Sequence, residues 1–200
     1  MASQSHIHPY TEWAKRRLNE MDATVSTFET KVDQLQAEAR TKGQAAITDM
    51  RGCRDEFRKR LQENRDLNEA SWSKAQKQLE SDWNAFEREV DNYVSAAKNQ
   101  VDQHHAAFQA RVEAQQNSWQ HAINELQDNA SKYSADQKDE LNSALKTLKK
   151  QADQASKQLK KFDKAGDESW SALSKALSQT RSAFDTANKS AVEAFRKATE

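Results

Sequence analysis

The chain carries very little that could stop a helix. Of its 200 residues one is proline, Pro9, and three are glycine, Gly43, Gly52 and Gly166. Sheets and barrels need turn residues in quantity, and phosphate-cradling loops need clustered glycines, so the sequence excludes both. A single cysteine, Cys53, cannot form an intrachain disulfide and gives no reason to expect an oxidising compartment. Residues 1–10 are polar and lack a signal peptide's apolar run, and no segment approaches the roughly 20 apolar residues that cross a bilayer. A surplus of one charge is missing too. Thirty-one Lys+Arg balance thirty-one Asp+Glu, so no global field draws the chain to nucleic acid or anionic lipid. The expectation is a soluble, cytoplasmic protein. With 36% hydrophobic residues and a mean hydropathy of -1.10, a large globular core is not expected.

What is present is rhythm. Five Trp and seven Phe, set in a regular apolar pattern, separate this chain from disordered sequences of similar polarity. Leu18, Met21, Val25, Phe28, Val32, Leu35 and Ala39 fall at alternating spacings of three and four, a heptad seam. After Leu35 the spacing changes. Leu35, Ala46, Phe57, Asn68, Leu79, Val90, Val101, Val112 and Ile123 recur every eleven residues, and Phe86, Phe108 and Trp119 belong to a parallel column. Eleven residues in three turns is about 3.67 per turn, so the stripe runs nearly straight along a helix. The sequence therefore predicts an all-α fold of long amphipathic helices, heptad then hendecad, forming a coiled coil or an elongated antiparallel helical bundle. Unbroken, Tyr10 to Lys164 would extend on the order of 230 Å at 1.5 Å per residue.

The expected organisation is a flexible N-terminus over 1–8, a long helical coiled-coil region over 9–164, and a C-terminal helix over 167–199. Pro9 suits a first helical turn. Breaks are expected near 63–68 and 127–134, where amides and Asp interrupt the apolar pattern, and at Ala165-Gly166-Asp167, a helix stop followed by a cap. The helix-packing seam is assigned to Leu35, Phe57, Leu79, Phe86, Val90, Val101, Phe108, Val112, Trp119, Ile123, Trp170 and Leu177. A short repeated pattern hints at a duplication. Ser71-Trp72-Ser73, Leu79 and Ala85-Phe86 match Ser169-Trp170-Ser171, Leu177 and Ala183-Phe184 at an offset of 98.

Candidate chemistry is sparse, and no catalytic, cofactor-binding or metal-ligating residue is assigned. His104 and His105 are adjacent, so on a helix they diverge by about 100° and cannot share one ion. His6 and His8 lie in the flexible N-terminus, and His121 lies several turns from the pair. Cys53 reads as a small half-buried hydrophobe, its neighbours Arg51 and Arg54 being opposed by Asp55 and Glu56. The one local charge asymmetry is Leu145 to Lys164. There Lys146, Lys149, Lys150, Lys157, Lys160, Lys161 and Lys164 face only Asp153 and Asp163, with Leu145, Leu148, Leu159 and Phe162 along one side. Such a helix can dock on an anionic surface. More often its lysines are the wet face of a helix packed on another.

The stretch Ala165-Gly-Asp-Glu-Ser-Trp170, with Leu173, Leu177, Phe184 and Ala187, resembles bacterial coiled-coil proteins described as stress-response proteins, which carry a Gly-Asp-x-x-Trp-x-x-Leu stretch after a long helix. The run Tyr10 to Leu35 is similar to them in rhythm, and together the two cover about a third of the chain. Five Trp and the length depart from that pattern. The resemblance implies a non-catalytic helical protein with no catalytic residues to transfer.

Two functional readings follow. The first is a non-catalytic structural or interaction protein, self-associating as rod, spacer or scaffold, with homo-oligomers or other helical proteins as partners. Trp and Phe in the seam are bulky for a two-helix contact and favour three or more helices per cross-section. The second is an amphipathic coat that meets a membrane or storage-granule surface through Lys146–Lys164, since a straight apolar stripe matches a flat surface. Neither reading includes specific nucleic-acid binding or a cofactor.

Overall fold

The structure, a computed structural model, describes residues 9–64, 69–97, 100–133, 135–165 and 169–197. Within them the fold is all-α: α1 (Pro9–Lys31), α2 (Ala37–Glu63), α3 (Glu69–Ala96), α4 (Val101–Ala130), α5 (Ala135–Ala165) and α6 (Trp170–Lys197). The helices fold back on one another instead of running on as a rod. Expected breaks at 63–68 and 127–134 coincide with the ends of α2 and α4, and α5 stops at Ala165, just before Gly166. The expected N-terminal segment 1–8, residues 65–68 and 134 of the expected breaks, residues 166–168 and the last residues of the expected C-terminal helix, 198–199, lie outside the described residues.

Two reversals fall inside the stretch the sequence reads as continuous. After α1 the chain tightens into a single 3₁₀ turn, Val32–Gln34, and then extends through Leu35 and Gln36. Neither Gly nor Pro marks this turn. Arg40 stabilises it by donating from Nη2 to the carbonyls of Asp33 and Leu35 at 2.8 and 3.1 Å, satisfying groups that helix breaking leaves bare. Buried Leu35 then reaches α2 at Gly43. A Cβ there would lie 3.0 Å from Leu35 Cδ1 and 3.3 Å from both Tyr93 Cε2 and Val32 Cγ2, so the glycine allows the close approach. The other unanticipated reversal separates α3 from α4 near 97–100.

Gly52 is different: it lies exposed in α2 with nothing within 4 Å of a Cβ built on it. Gly52→Ala is expected to stabilise the fold by about 1 kcal/mol through helix propensity alone. A urea melt with an unchanged or lowered midpoint would contradict this open helical setting.

The helices form two three-helix units. In the first, α2 packs most extensively on α3 and both meet α1; in the second, α5 packs on α6 and both meet α4. The offset of 98 spans the two units. Met21, Val25, Phe28, Ile47, Met50, Leu61, Phe86 and Val94 correspond to Trp119, Ile123, Leu126, Leu145, Leu148, Leu159, Phe184 and Val192, and every one of these side chains is buried. Each unit has its own apolar core. One gathers Met21, Phe28, Met50, Phe57, Phe86 and Tyr93; the other gathers Phe108, Trp119, Leu141, Leu148, Leu159 and Phe184. Rings stack within each, Phe28 on Tyr93 at 3.8 Å between centroids and Trp119 on Phe184 at 5.0 Å.

The equivalent helices α1 and α4 pair across the units. Asn19 meets Ser118, Glu20 meets Arg111, and Gln103 donates to the carbonyl of Lys31, so the two helices run antiparallel. Two copies of one unit related by a two-fold axis would pair in this way. The eleven-residue stripes are thus filled by helices of the same chain.

Candidate functional site

Ten of the twelve assigned seam residues are buried or, for Trp170, half-buried against both cores: Leu35, Phe57, Leu79, Phe86, Val90, Phe108, Trp119, Ile123, Trp170 and Leu177. Val112 is half-buried. Val101 departs from the assignment: it is 54% exposed. It opens α4 just after the chain reverses, so the column that passes through Val90 has turned away before it arrives. Trp170 also bridges the units, its Nε1 donating to Asp91 Oδ1 at 2.9 Å.

The two cores are separated by charge. At the junction of α1, α3, α4 and α6, Glu20 is 1% exposed and Arg111 is 0% exposed. Arg111 donates from Nε to Glu20 Oε1 at 2.8 Å and from Nη2 to Glu87. Arg181 Nε lies 3.1 Å from Glu20 Oε2, an ion contact in which no hydrogen bond is aimed. Gln115 adds weak amide contacts to Glu20 at 3.4 and 3.5 Å and donates to the carbonyl of Leu177 at 3.3 Å. On the flank, Asp185 accepts from Arg16 Nη2 at 2.9 Å and from Arg17. Each of these ion pairs joins the first unit to the second. Glu20, Glu87, Arg16 and Arg17 come from one; Arg111, Arg181 and Asp185 come from the other.

One indole lies at the centre. The guanidinium carbons of Arg181, Arg17 and Arg111 sit 4.9, 5.2 and 5.9 Å from the Trp83 ring centroid, within cation–π range. At the offset of 98, Arg181 occupies the position equivalent to Trp83. The sequence shows the arginine but not its partners, since Glu20 and Glu87 lie more than 90 residues away. Glu20 and Arg111 read as ordinary exposed residues of a helix, since only the tertiary fold brings α1 and α4 together.

Titration follows the geometry. Burial would push the Glu20 carboxyl up, but Arg181, Arg111 and Arg17 outweigh it and hold it below the usual carboxylate range. Burial lowers Arg181 and Arg16, only partly offset by Glu20 for the first and Asp185 for the second. Arg111 is raised, because Glu87 and Glu20 exceed the burial penalty. Arginine begins so high that all of them stay charged at neutral pH.

The histidine pair diverges as its helical phase requires. His104 Nε2 lies 3.3 Å from the carbonyl of Val94, and His105 Nε2 lies 3.0 Å from that of Asp163. Among the described residues no cluster of three His, Cys, Asp or Glu is placed to hold a metal ion. Cys53 is half-buried, and its thiol is pushed up by burial and then by Glu89, Asp82 and Asp49. A low-pKa thiolate nucleophile needs the reverse.

On α5, Leu145, Leu148 and Leu159 are buried in the second core, while Lys146, Lys149, Lys150, Lys157, Lys160 and Lys161 are exposed. The apolar side of the basic segment is therefore covered by the chain itself, and Lys164 lies outside the side chains described. Among the described residues no helix is long and apolar enough to cross a membrane. No family model, no curated protein and no solved structure matches this chain.

Proposed function

We propose that the chain is a non-catalytic helical interaction protein, a spacer or scaffold that works as a folded-back bundle through its polar exterior. The observation that carries this reading is the fate of the apolar stripe. Among the described residues the one large apolar side chain left exposed is Val101, so little greasy surface is available for zipping end to end into a rod. Partners would meet charged and amide side chains, and self-association would proceed through the same surface. The stress-related role implied by the 165–187 resemblance is compatible with such a part.

The coat reading would require α5 to leave the bundle, because Leu145, Leu148 and Leu159 would have to exchange the second core for lipid. Flotation with vesicles of anionic phospholipid separates the two. The interaction reading expects protein in the aqueous fraction with an unchanged near-ultraviolet spectrum. Flotation accompanied by loss of tryptophan packing signals would overturn it in favour of the coat.

A further inference from the structure

The exterior is not uniform. Between α5 and α6 runs an open groove of about 610 Å³, lined by Thr147 and Gln151 on one helix and by Gln179, Ser182, Ala183, Thr186 and Ala187 on the other. No side chain in its floor is larger than glutamine, so another backbone could approach closely. On α5 the neighbouring row is Lys146, Lys150, Lys157 and Lys161, spaced four, seven and four, and all exposed. The eleven-residue period that straightens the apolar stripe straightens this row as well, so it runs alongside the groove. Across it, Lys175 and Lys189 extend the row of Gln179, Ser182 and Thr186 at three- and four-residue steps, and both are exposed. Of the four α5 lysines only Lys157 has an ion-pair partner among the described residues, Asp153 at 2.7 Å.

In the first unit one ion pair crosses the α2–α3 hairpin, Arg60 on α2 to Asp82 on α3 at 3.0 Å, while Glu56, 3.1 Å from Arg60, lies on the same helix. In the second unit Gln158 and Gln154 stand where Arg60 and Glu56 stand in the first, and no ion pair joins α5 to α6 among the described residues. The two hairpins thus differ among the described residues: an ion pair crosses the first and none crosses the second, where Lys189 pairs with Glu193 of its own helix at 3.9 Å and the other rim lysines face solvent.

We propose that the α5–α6 groove docks an acidic amphipathic helix of a partner protein, with small residues against the floor and carboxylates toward the lysine rims. This rests on the interaction reading and names its partner class. Charge complementarity selects the occupant. An exposed apolar edge, which a lipid-binding face needs, is absent from the described part of the hairpin, and so are exposed aromatic rings, which single-stranded nucleic acid would stack on. A helix uses both the concave floor and the paired rims.

The test uses the full chain and a fluorescent helical peptide of about six turns with glutamates on both borders of an alanine face. A second peptide has glutamine at every glutamate. Two variants are compared after circular dichroism has shown them folded: Ala183→Trp, which fills the floor and leaves the charge unchanged, and the doubly reversed K150E/K157E. The glutamate peptide is expected to bind with salt-sensitive affinity, and each variant is expected to weaken it roughly tenfold or more. The glutamine peptide is expected to bind no more than weakly. Absence of binding to the folded wild-type chain would overturn the proposal. So would equal binding by the Ala183→Trp variant, which would reveal a lysine field with no groove, or displacement of the peptide by duplex DNA or anionic vesicles. If the peptide fails while the chain stays out of the floating vesicle fraction, the groove proposal falls and the interaction reading stands.

Discussion

Glu20→Ala is expected to cost the fold about 3–5 kcal/mol, because it removes the most deeply buried carboxylate that Arg111 and Arg181 share and leaves both buried arginines to the half-buried Glu87. That would be a large part of the stability of an ordinary domain, about 5–15 kcal/mol. Glu20→Gln keeps the shape and part of the hydrogen bonding and should cost less. Replacing Glu20, Arg111 and Arg181 together by Leu and Met should recover most of the loss, since a buried ion network contributes little beyond well-packed apolar groups. Urea melts of the three variants decide the matter. If the triple variant is as unstable as Glu20→Ala, orphaned charge is not the cause.

The same residue sets a pH dependence whose sign is fixed. The Glu20 carboxyl in the folded protein is held below the usual range, which for an unfolded chain is about 4.3. Its stabilising contribution is therefore complete above that pH and is lost as pH falls through the lower folded value. The acid limb of stability should flatten in Glu20→Gln relative to wild type.

Phe86→Ala and Phe184→Ala should each cost about 3–5 kcal/mol. Both rings are fully buried, and they occupy equivalent positions of the two units. Phe86 packs near Trp83, with 5.9 Å between centroids, and Phe184 stacks on Trp119, so truncation leaves a cavity in one core while the other stays filled. Matched losses would support two cores of similar worth. A loss below about 1 kcal/mol at either site would contradict a closely packed core there.

Helix type and burial were legible because both are local. The hendecad columns gather residues such as Leu79, Val90 and Ile123 that the fold buries. Even the turn after α1 left a trace, since the heptad seam gives way to the eleven-residue period at Leu35, where the chain leaves α1 for α2. Direction was not legible. A seam that needs a partner helix reads the same whether the partner is another molecule or the next stretch of chain. Only turn chemistry distinguishes the two, and at 32–36 and 97–100 no Gly or Pro supplies it. The ionic junction was hidden for the same reason. Arg111 and Glu20 lie 91 residues apart, and only the antiparallel pairing of α1 with α4 makes them neighbours.

The most direct measurement is small-angle scattering on dilute protein across a range of concentrations. A chain that buries its stripes internally should give a radius of gyration of about 17–20 Å, at or a little above that of a compact domain of this length and constant on dilution. A value near 60 Å, or a particle on the order of 200 Å long that shortens only on dissociation, would mean that the helices run on and the stripes are met by other chains.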